Sequence, residues 1–231
     1  RLTARALWSL PRPPYRIKQI FEQMEFVGVS SLSIILITAL FTGMVFSLQS
    51  FYAFRLFGAE GMVGSTVGLA LTRELSANMC GLMVTARAGS AMAAELGTMR
   101  VTQQIDAMES MAVDPVKYLV VPRIIASIAM MPALTMVFNI VGMIGAYIIG
   151  VHMLGVDAGV FIKNFNWYVD PDDITNGLIK ASVFGFILAS VGCFKGFYTT
   201  GGAAGVGRAT TRAVVIAAVT ILIVDYFLTK L

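Results

Sequence analysis

Residues 29–50 contain no charged side chain. A helix crosses the hydrocarbon core of a bilayer with about 20 apolar residues. This run is therefore long enough to span, and too long for the apolar core of a cleavable signal peptide. Four further stretches share the character. Residues 62–86 are long enough but hold Arg73 and Glu74. Residues 124–151 are uncharged, with Pro132 inside as an expected kink. Residues 178–198 carry Lys180 and Lys195 near their ends, and 213–228 carry only Asp225. The spacing predicts an all-α integral membrane protein with about five transmembrane helices and its termini on opposite sides. Charged residues make up 13% of the 231, against about 25% in soluble domains. The chain holds one membrane domain, with no room for a second folded one.

The net charge is +4. In loops flanking spans, basic residues set orientation, because Lys and Arg stay on the cytoplasmic side. One side collects Arg1, Arg5, Arg12, Arg16 and Lys18, then Arg87, Arg100, Lys117 and Arg123, then Lys195, Arg208 and Arg212. The other collects Arg55, Lys163, Lys180 and Lys230. The N-terminus is thus expected in the cytoplasm and the C-terminus outside. The outer loop 155–177 is acidic, with Asp157, Asp170, Asp172 and Asp173, and offers Trp167 and Tyr168 as interface anchors. No basic helix with base-reading side chains appears, so nucleic acid is not a partner. The two cysteines, Cys80 and Cys193, lie in apolar runs, too few for a disulfide framework or metal site. One histidine, His152, sits at a membrane edge without a nucleophile motif, so catalysis has no support. No internal repeat is visible. An odd span count disfavours a single inverted repeat, so symmetry is expected from dimerisation.

Five local features remain. Residues 1–28 are basic and broken at Pro11–Pro14. Beyond that, Ile17, Ile20, Phe21 and Met24 share one helical face, as in a helix lying in the membrane interface. Arg73 and Glu74 are intramembrane charges, which are functional-site candidates by default. Adjacent helical residues point about 100° apart, so the two cannot neutralise each other face to face. A polar cavity or a ligand headgroup is the expected neighbour. Residues 91–114 are too polar to span. Val101, Ile105, Met108 and Ala112 form a narrow apolar stripe, and Asp114–Pro115 stops the helix. Periodicity alone leaves open whether this helix docks a soluble partner or packs on its own bundle. Residues 201–212 have the glycine spacing of a phosphate loop, but Arg208 and Ala209 replace the required Lys and Ser/Thr. A flexible cytoplasmic loop is expected there. Gly43, Gly58, Gly61, Gly64, Gly68, Gly81 and Gly89 line the first two spans and their connection. They allow either close packing within the chain or a dimer contact.

Residues 71–126 resemble the MlaE/YrbE permeases, the membrane subunits of ABC-type lipid transporters that work with MCE-domain proteins. The likeness rests on R-E-L at 73–75, A-R-A-G-S-A at 86–91 and A-E-L-G-T-M-R-V-T-Q-Q-I-D-A-M at 94–108. V-D-P at 113–115, P-R at 122–123, the R-A-T-T-R-A-V-V run and D-Y-F-L-T extend it. It covers the chain from about residue 28 to the end. The resemblance implies a permease domain over 29–231, preceded by the interfacial segment 1–28, in the inner membrane of a bacterium. It implies a homodimer enclosing a lipid cavity, a cytoplasmic ABC ATPase dimer below, a periplasmic MCE hexamer above and a small STAS-domain protein as a further candidate. It implies no cofactor in this chain, ATP being bound by the partner. Gln49, Arg73, Glu74, Phe46, Ala53 and Phe57 would then meet the lipid. A coupling helix at about 91–111 would engage the ATPase through Glu95, Leu96, Arg100, Ile105, Asp106, Met108 and Glu109.

The leading expectation is a phospholipid permease that helps maintain outer-membrane lipid asymmetry. The alternatives are a permease for a sterol or fatty acid, or a scaffold or channel without a motor. An intramembrane lipase is more distant, since no nucleophile and base pair up.

Overall fold

The computed structural model describes residues 17–230. The basic residues before position 17, with Trp8 and Tyr15, lie outside them. Among the described residues there are helices and turns and no strand. In chain order the helices are α1 (Ile17–Val27), α2 (Leu32–Arg55), α3 (Val63–Ala70), α4 (Ser76–Val84), α5 (Ser90–Val101) and α6 (Gln104–Ser110). They continue with α7 (Val121–Tyr147), α8 (Ala158–Tyr168), α9 (Pro171–Phe197) and α10 (Gly202–Leu228).

Four helical segments are long and apolar enough to cross a membrane among the described residues: Ile17–Arg55, Val116–Met153, Pro171–Phe197 and Gly202–Leu228. They match the first, third, fourth and fifth expected spans. The second expected span is helical but is not among them. Arg73, Glu74 and Asn78 lower its hydropathy, and it belongs to a longer helical run. Residues 63–101 are helical throughout, α3 to α5 being joined by two wide turns at Leu71–Leu75 and Thr85–Gly89. In each the next backbone N–H reaches five residues back, from Ser76 to the Leu71 carbonyl and from Ser90 to that of Thr85. Such π-turns shift the phase of the side chains beyond them and recur at functional sites. The first contains Arg73 and Glu74, the second Arg87.

The chain divides into two compact units. Unit I comprises Arg1–Ser31, Gly81–Met131 and Ser182–Leu231, and unit II Leu32–Cys80 and Pro132–Ala181.

In unit II, Gly43 of α2 crosses α7 at Gly142, and Gly145 sits on the Leu40 carbonyl. A Cβ at either glycine would strike backbone. Ser47 Oγ donates to the Ala146 carbonyl at 3.0 Å. The expected outer loop is largely helical. Asp157 caps α8 by accepting from the Val160 N–H at 2.8 Å. Buried Phe161 then fills the space that Gly64 leaves on α3, and Phe165 that of Gly68. The G-x-x-x-G of the sequence is thus a packing surface inside the chain. Trp167 is 77% exposed, as an interface anchor requires.

In unit I, α5 lies against α9 and α10. Gly192 and Gly196 of α9 sit on the Gly89 and Ala93 carbonyls. Gly205, Ala209, Ala213, Ala217 and Ile221, spaced four apart, form the buried stripe of α10. Val206 of α10 lies against Gly97 of α5. The expected flexible loop 201–212 is therefore corrected: after Gly201, at φ +90°, residues 202–212 are the first turns of α10. Small residues every fourth position supply a helix-packing face, which outweighs the poor helix propensity of glycine. A single coupling helix at about 91–111 is also corrected. Thr102 and Gln103 break it, Gln103 at φ +60°, into α5 and α6. The narrow stripe does not survive the break, for Ile105 is fully buried while Val101 and Ala112 are exposed. Ala112, at φ +58°, then ends α6, with the Val113 N–H on the Met108 carbonyl and the Ala112 N–H on that of Glu109.

Candidate functional site

Two charged clusters lie in the helices, one in each unit. In unit II the π-turn carries Arg73 and Glu74 side by side against α9. Asp173, Gly177 and Lys180 occupy one face of α9, at i, i+4 and i+7. Gly177 is backed directly onto the Thr72 carbonyl, where a Cβ would collide. That approach brings both flanking charges within reach. Lys180 Nζ lies 2.6 Å from Glu74 Oε1 and donates to the Arg73 carbonyl at 3.3 Å. Arg73 Nε lies 3.1 Å from Asp173 Oδ1. Asp173 Oδ2 accepts from the Asp170 N–H at 3.2 Å, and its place in the first turn of α9 suits the positive end of the helix dipole. The two adjacent charges are thus answered by two opposite charges two turns apart.

Burial separates the two pairs. Lys180 is 7% exposed and Glu74 33%, so this pair is a buried brace. Arg73 is 60% exposed while Asp173 is 12%. Among the described residues Nε makes the ion-pair contact with the carboxylate, and the side chain as a whole remains 60% exposed, with the donors of a planar fork to offer a further acceptor. Close by, buried Ser76 Oγ donates to Asn139 Oδ1 at 2.5 Å, while Asn139 Nδ2 is buried without a partner among the described residues.

The sequence singled out Arg73 and Glu74 but expected a cavity or headgroup opposite them; the structure puts Asp173 and Lys180 there. The topology count places Lys180 among the outer charges, and its burial removes it from that count. Of the other sequence candidates, Phe46, Gln49 and Ala53 share a face of α2 and Phe57 follows its end. Gln49 and Ala53 are exposed, Phe57 is 83% exposed and Phe46 is half-buried. The structure gives none of the four a hydrogen bond or ion pair to the Arg73–Glu74 cluster.

In unit I, Glu95 and Leu96 lie on α5, Arg100 near its end, and Ile105, Asp106, Met108 and Glu109 on α6. Arg100 Nη1 and Asp106 Oδ1 are 2.5 Å apart across the break. Leu96 and Ile105 are fully buried and fix the two helices from beneath. Glu95 is 51% exposed and paired at 2.7 Å with Arg123, whose side chain is 4% exposed. Arg87, in the second π-turn, reaches the end of α1. It donates to the Phe26 carbonyl, stacks 4.7 Å over the Phe26 ring and lies 3.3 Å from Ser31 Oγ. Arg87 and Arg123 carried only a topological meaning in the sequence. The small residues around Arg87 (Ala86, Ala88, Gly89 and Ser90) are a local signal that helices pass close there, whereas Pro122 and Ile124 beside Arg123 give none.

No group of three or more potential metal ligands occurs among the described residues.

Comparison with known proteins identifies the family. The family model described as "Permease MlaE" matches residues 20–231. A "Probable ABC transporter permease protein" of Rickettsia felis is 44% identical over 226 residues, covering 98% of this chain and 87% of the relative. The "Intermembrane phospholipid transport system permease protein MlaE" of Haemophilus influenzae is 37% identical over 230 residues, with the same coverage of both chains. "Protein TRIGALACTOSYLDIACYLGLYCEROL 1, chloroplastic" of Arabidopsis thaliana is 38% identical over 213 residues, covering 92% of this chain and 61% of the relative. The chain belongs to the MlaE permease family and is an ABC transporter permease: a transport subunit, not an enzyme.

Proposed function

We propose that this MlaE-family permease moves phospholipids between the two membranes of a bacterial envelope and so helps maintain outer-membrane lipid asymmetry. The observation that carries the reading is Arg73, a guanidinium 60% exposed on a helical membrane protein and tethered by one nitrogen to Asp173. Such a fork offers bidentate hydrogen bonds to a phosphate. Lys180 and Glu74 brace the turn that presents it. Phe46 and Ala53 on α2, with Phe57 beyond its end, would supply apolar contacts for acyl chains, and Gln49 between them a polar one. The name of the Haemophilus relative supports phospholipid as the substrate.

The energy comes from a separate ATPase that binds ATP and docks on α5 and α6 from the cytoplasm. Glu95, Arg100, Asp106 and Glu109 form the polar part of that surface. The permease works as a homodimer in the inner membrane, its N-terminus cytoplasmic and its C-terminus periplasmic. A periplasmic MCE-domain hexamer receives or delivers the lipid, and a small STAS-domain protein is a further candidate partner. ATP is the only cofactor, and it belongs to the partner.

Mass spectrometry of lipids extracted from the purified complex tests the reading. Phospholipid is expected at about one molecule per complex without nucleotide, and at much less with a trapped ATP analogue. A sterol or fatty acid as the main species would contradict the substrate. Occupancy indifferent to nucleotide would contradict the motor.

A further inference from the structure

Among the described residues Arg123 and Lys180 are the buried cations. Lys180 belongs to the site above; Arg123, in unit I, does not. Its guanidinium joins two elements. Nη2 lies 2.7 Å from Glu95 Oε2 on α5. Nη1 donates at 2.6 Å to the Leu119 carbonyl, within the π-turn Val116–Val120 at the foot of α7, where the Val121 N–H reaches back to Val116. Nε is buried without a partner among the described residues. Glu95 itself is half exposed.

A tie of this kind is a poor way to gain stability. Replacing a buried ion pair by apolar side chains is often neutral or stabilising, whereas removing one partner is strongly destabilising. An orphaned Nε makes the arrangement worse in that respect. It is well suited to something else. A dry guanidinium cannot exchange its acceptors for water, so a displacement of Glu95 must carry Arg123 and the foot of α7 with it. Gly192 and Gly196 of α9 are meanwhile backed onto the Gly89 and Ala93 carbonyls, so no side chain of α9 stands between the two backbones at those positions.

We propose that Arg123 is a positioning residue for coupling: it holds the inner oxygen of Glu95 and transmits movement of α5 into α7. This rests on the reading of α5 and α6 as the surface that meets the ATPase. Lysine cannot replace it, because one ammonium on a flexible stem does not span two fixed acceptors as a fork does.

The test uses the whole permease–ATPase complex in proteoliposomes, with lipid moved and ATP hydrolysed measured in the same vesicles. Arg123→Lys, Glu95→Gln and the double variant are compared. Each is expected to lower lipid moved per ATP about tenfold, a coupling energy within the range for contacting residues. The double variant should be no worse than either single one. A purely structural role would lower yield and melting temperature while leaving the ratio at the wild-type value, and that result overturns the proposal. If Arg123→Lys does not assemble, Glu95→Gln decides: a fall in ratio supports the tie and a wild-type ratio overturns it. Failure of both variants to assemble would make the pair a folding element and also overturn it. A wild-type complex that hydrolyses ATP but moves no lipid would overturn the transport reading beneath it.

Discussion

Arg73 and Arg123 are the same residue type, each paired with one carboxylate on another helix, and the structure uses them oppositely. Arg73 is 60% exposed against a partner at 12%, and Arg123 is 4% exposed against a partner at 51%. In unit II the carboxylate is buried and holds the arginine outward. In unit I the arginine is buried and holds the carboxylate outward. Under the proposed function, the more exposed member of each pair is the one presented to something else: a lipid headgroup for Arg73, a protein partner for Glu95.

The comparison is broken most sharply by removing each arginine's carboxylate. Glu95→Ala strands a buried guanidinium and should destabilise the protein by about 3–5 kcal/mol. Asp173→Ala strands an exposed one and should cost about 1 kcal/mol or less. Thermal melts of the detergent-purified variants read both, and equal losses would erase the distinction. Gly177→Ala falls between them. Its Cβ meets the Thr72 carbonyl, and overpacking of this kind costs about 1–3 kcal/mol. Because the shift also pulls Asp173 and Lys180 away from the π-turn, bound lipid should fall with it. A stable variant with full lipid occupancy would show that the close approach is dispensable. The smallest effect belongs to Asp106→Asn, in an ion pair exposed on both sides. Its melting temperature should match the wild type, the loss being about 0.5 kcal/mol, while binding of the ATPase weakens. A large loss of stability there would mean that the pair holds α5 and α6 together.

Much of the scaffold was legible because uncharged runs of span length have few other solutions in a bilayer. Residues 29–50 became α2 and 124–151 became most of α7. Arg73 and Glu74 were legible for the converse reason, since charge within such a run demands an explanation. Their partners were not. Asp173 and Lys180 lie about a hundred positions away, and only the contact of Gly177 with Thr72 brings them close; neither periodicity nor composition carries that information. Lys180 in particular resembles any basic residue near the end of a span. Residues 201–212 misled for a local reason. Glycines and arginines suggest a loop in water, but the spacing Gly205, Ala209, Ala213, Ala217 is that of a helix seeking a close neighbour. The break at Gln103 is hidden in the sequence because glutamine marks no turn; its left-handed conformation lies between the buried Leu96 and Ile105.

The most direct test of the central claim is lipid bound to the Arg73→Ala complex, quantified by mass spectrometry beside its melting temperature. Removing the arginine leaves the buried Asp173 carboxylate with the Asp170 N–H at 3.2 Å and the positive end of α9, so the variant should fold with a lowered melting temperature, and occupancy is read below it. Phospholipid occupancy should fall about tenfold, in keeping with the loss of a charge-assisted hydrogen bond of about 1.5–3 kcal/mol. A folded variant with undiminished phospholipid would contradict the assignment of Arg73 as the headgroup contact.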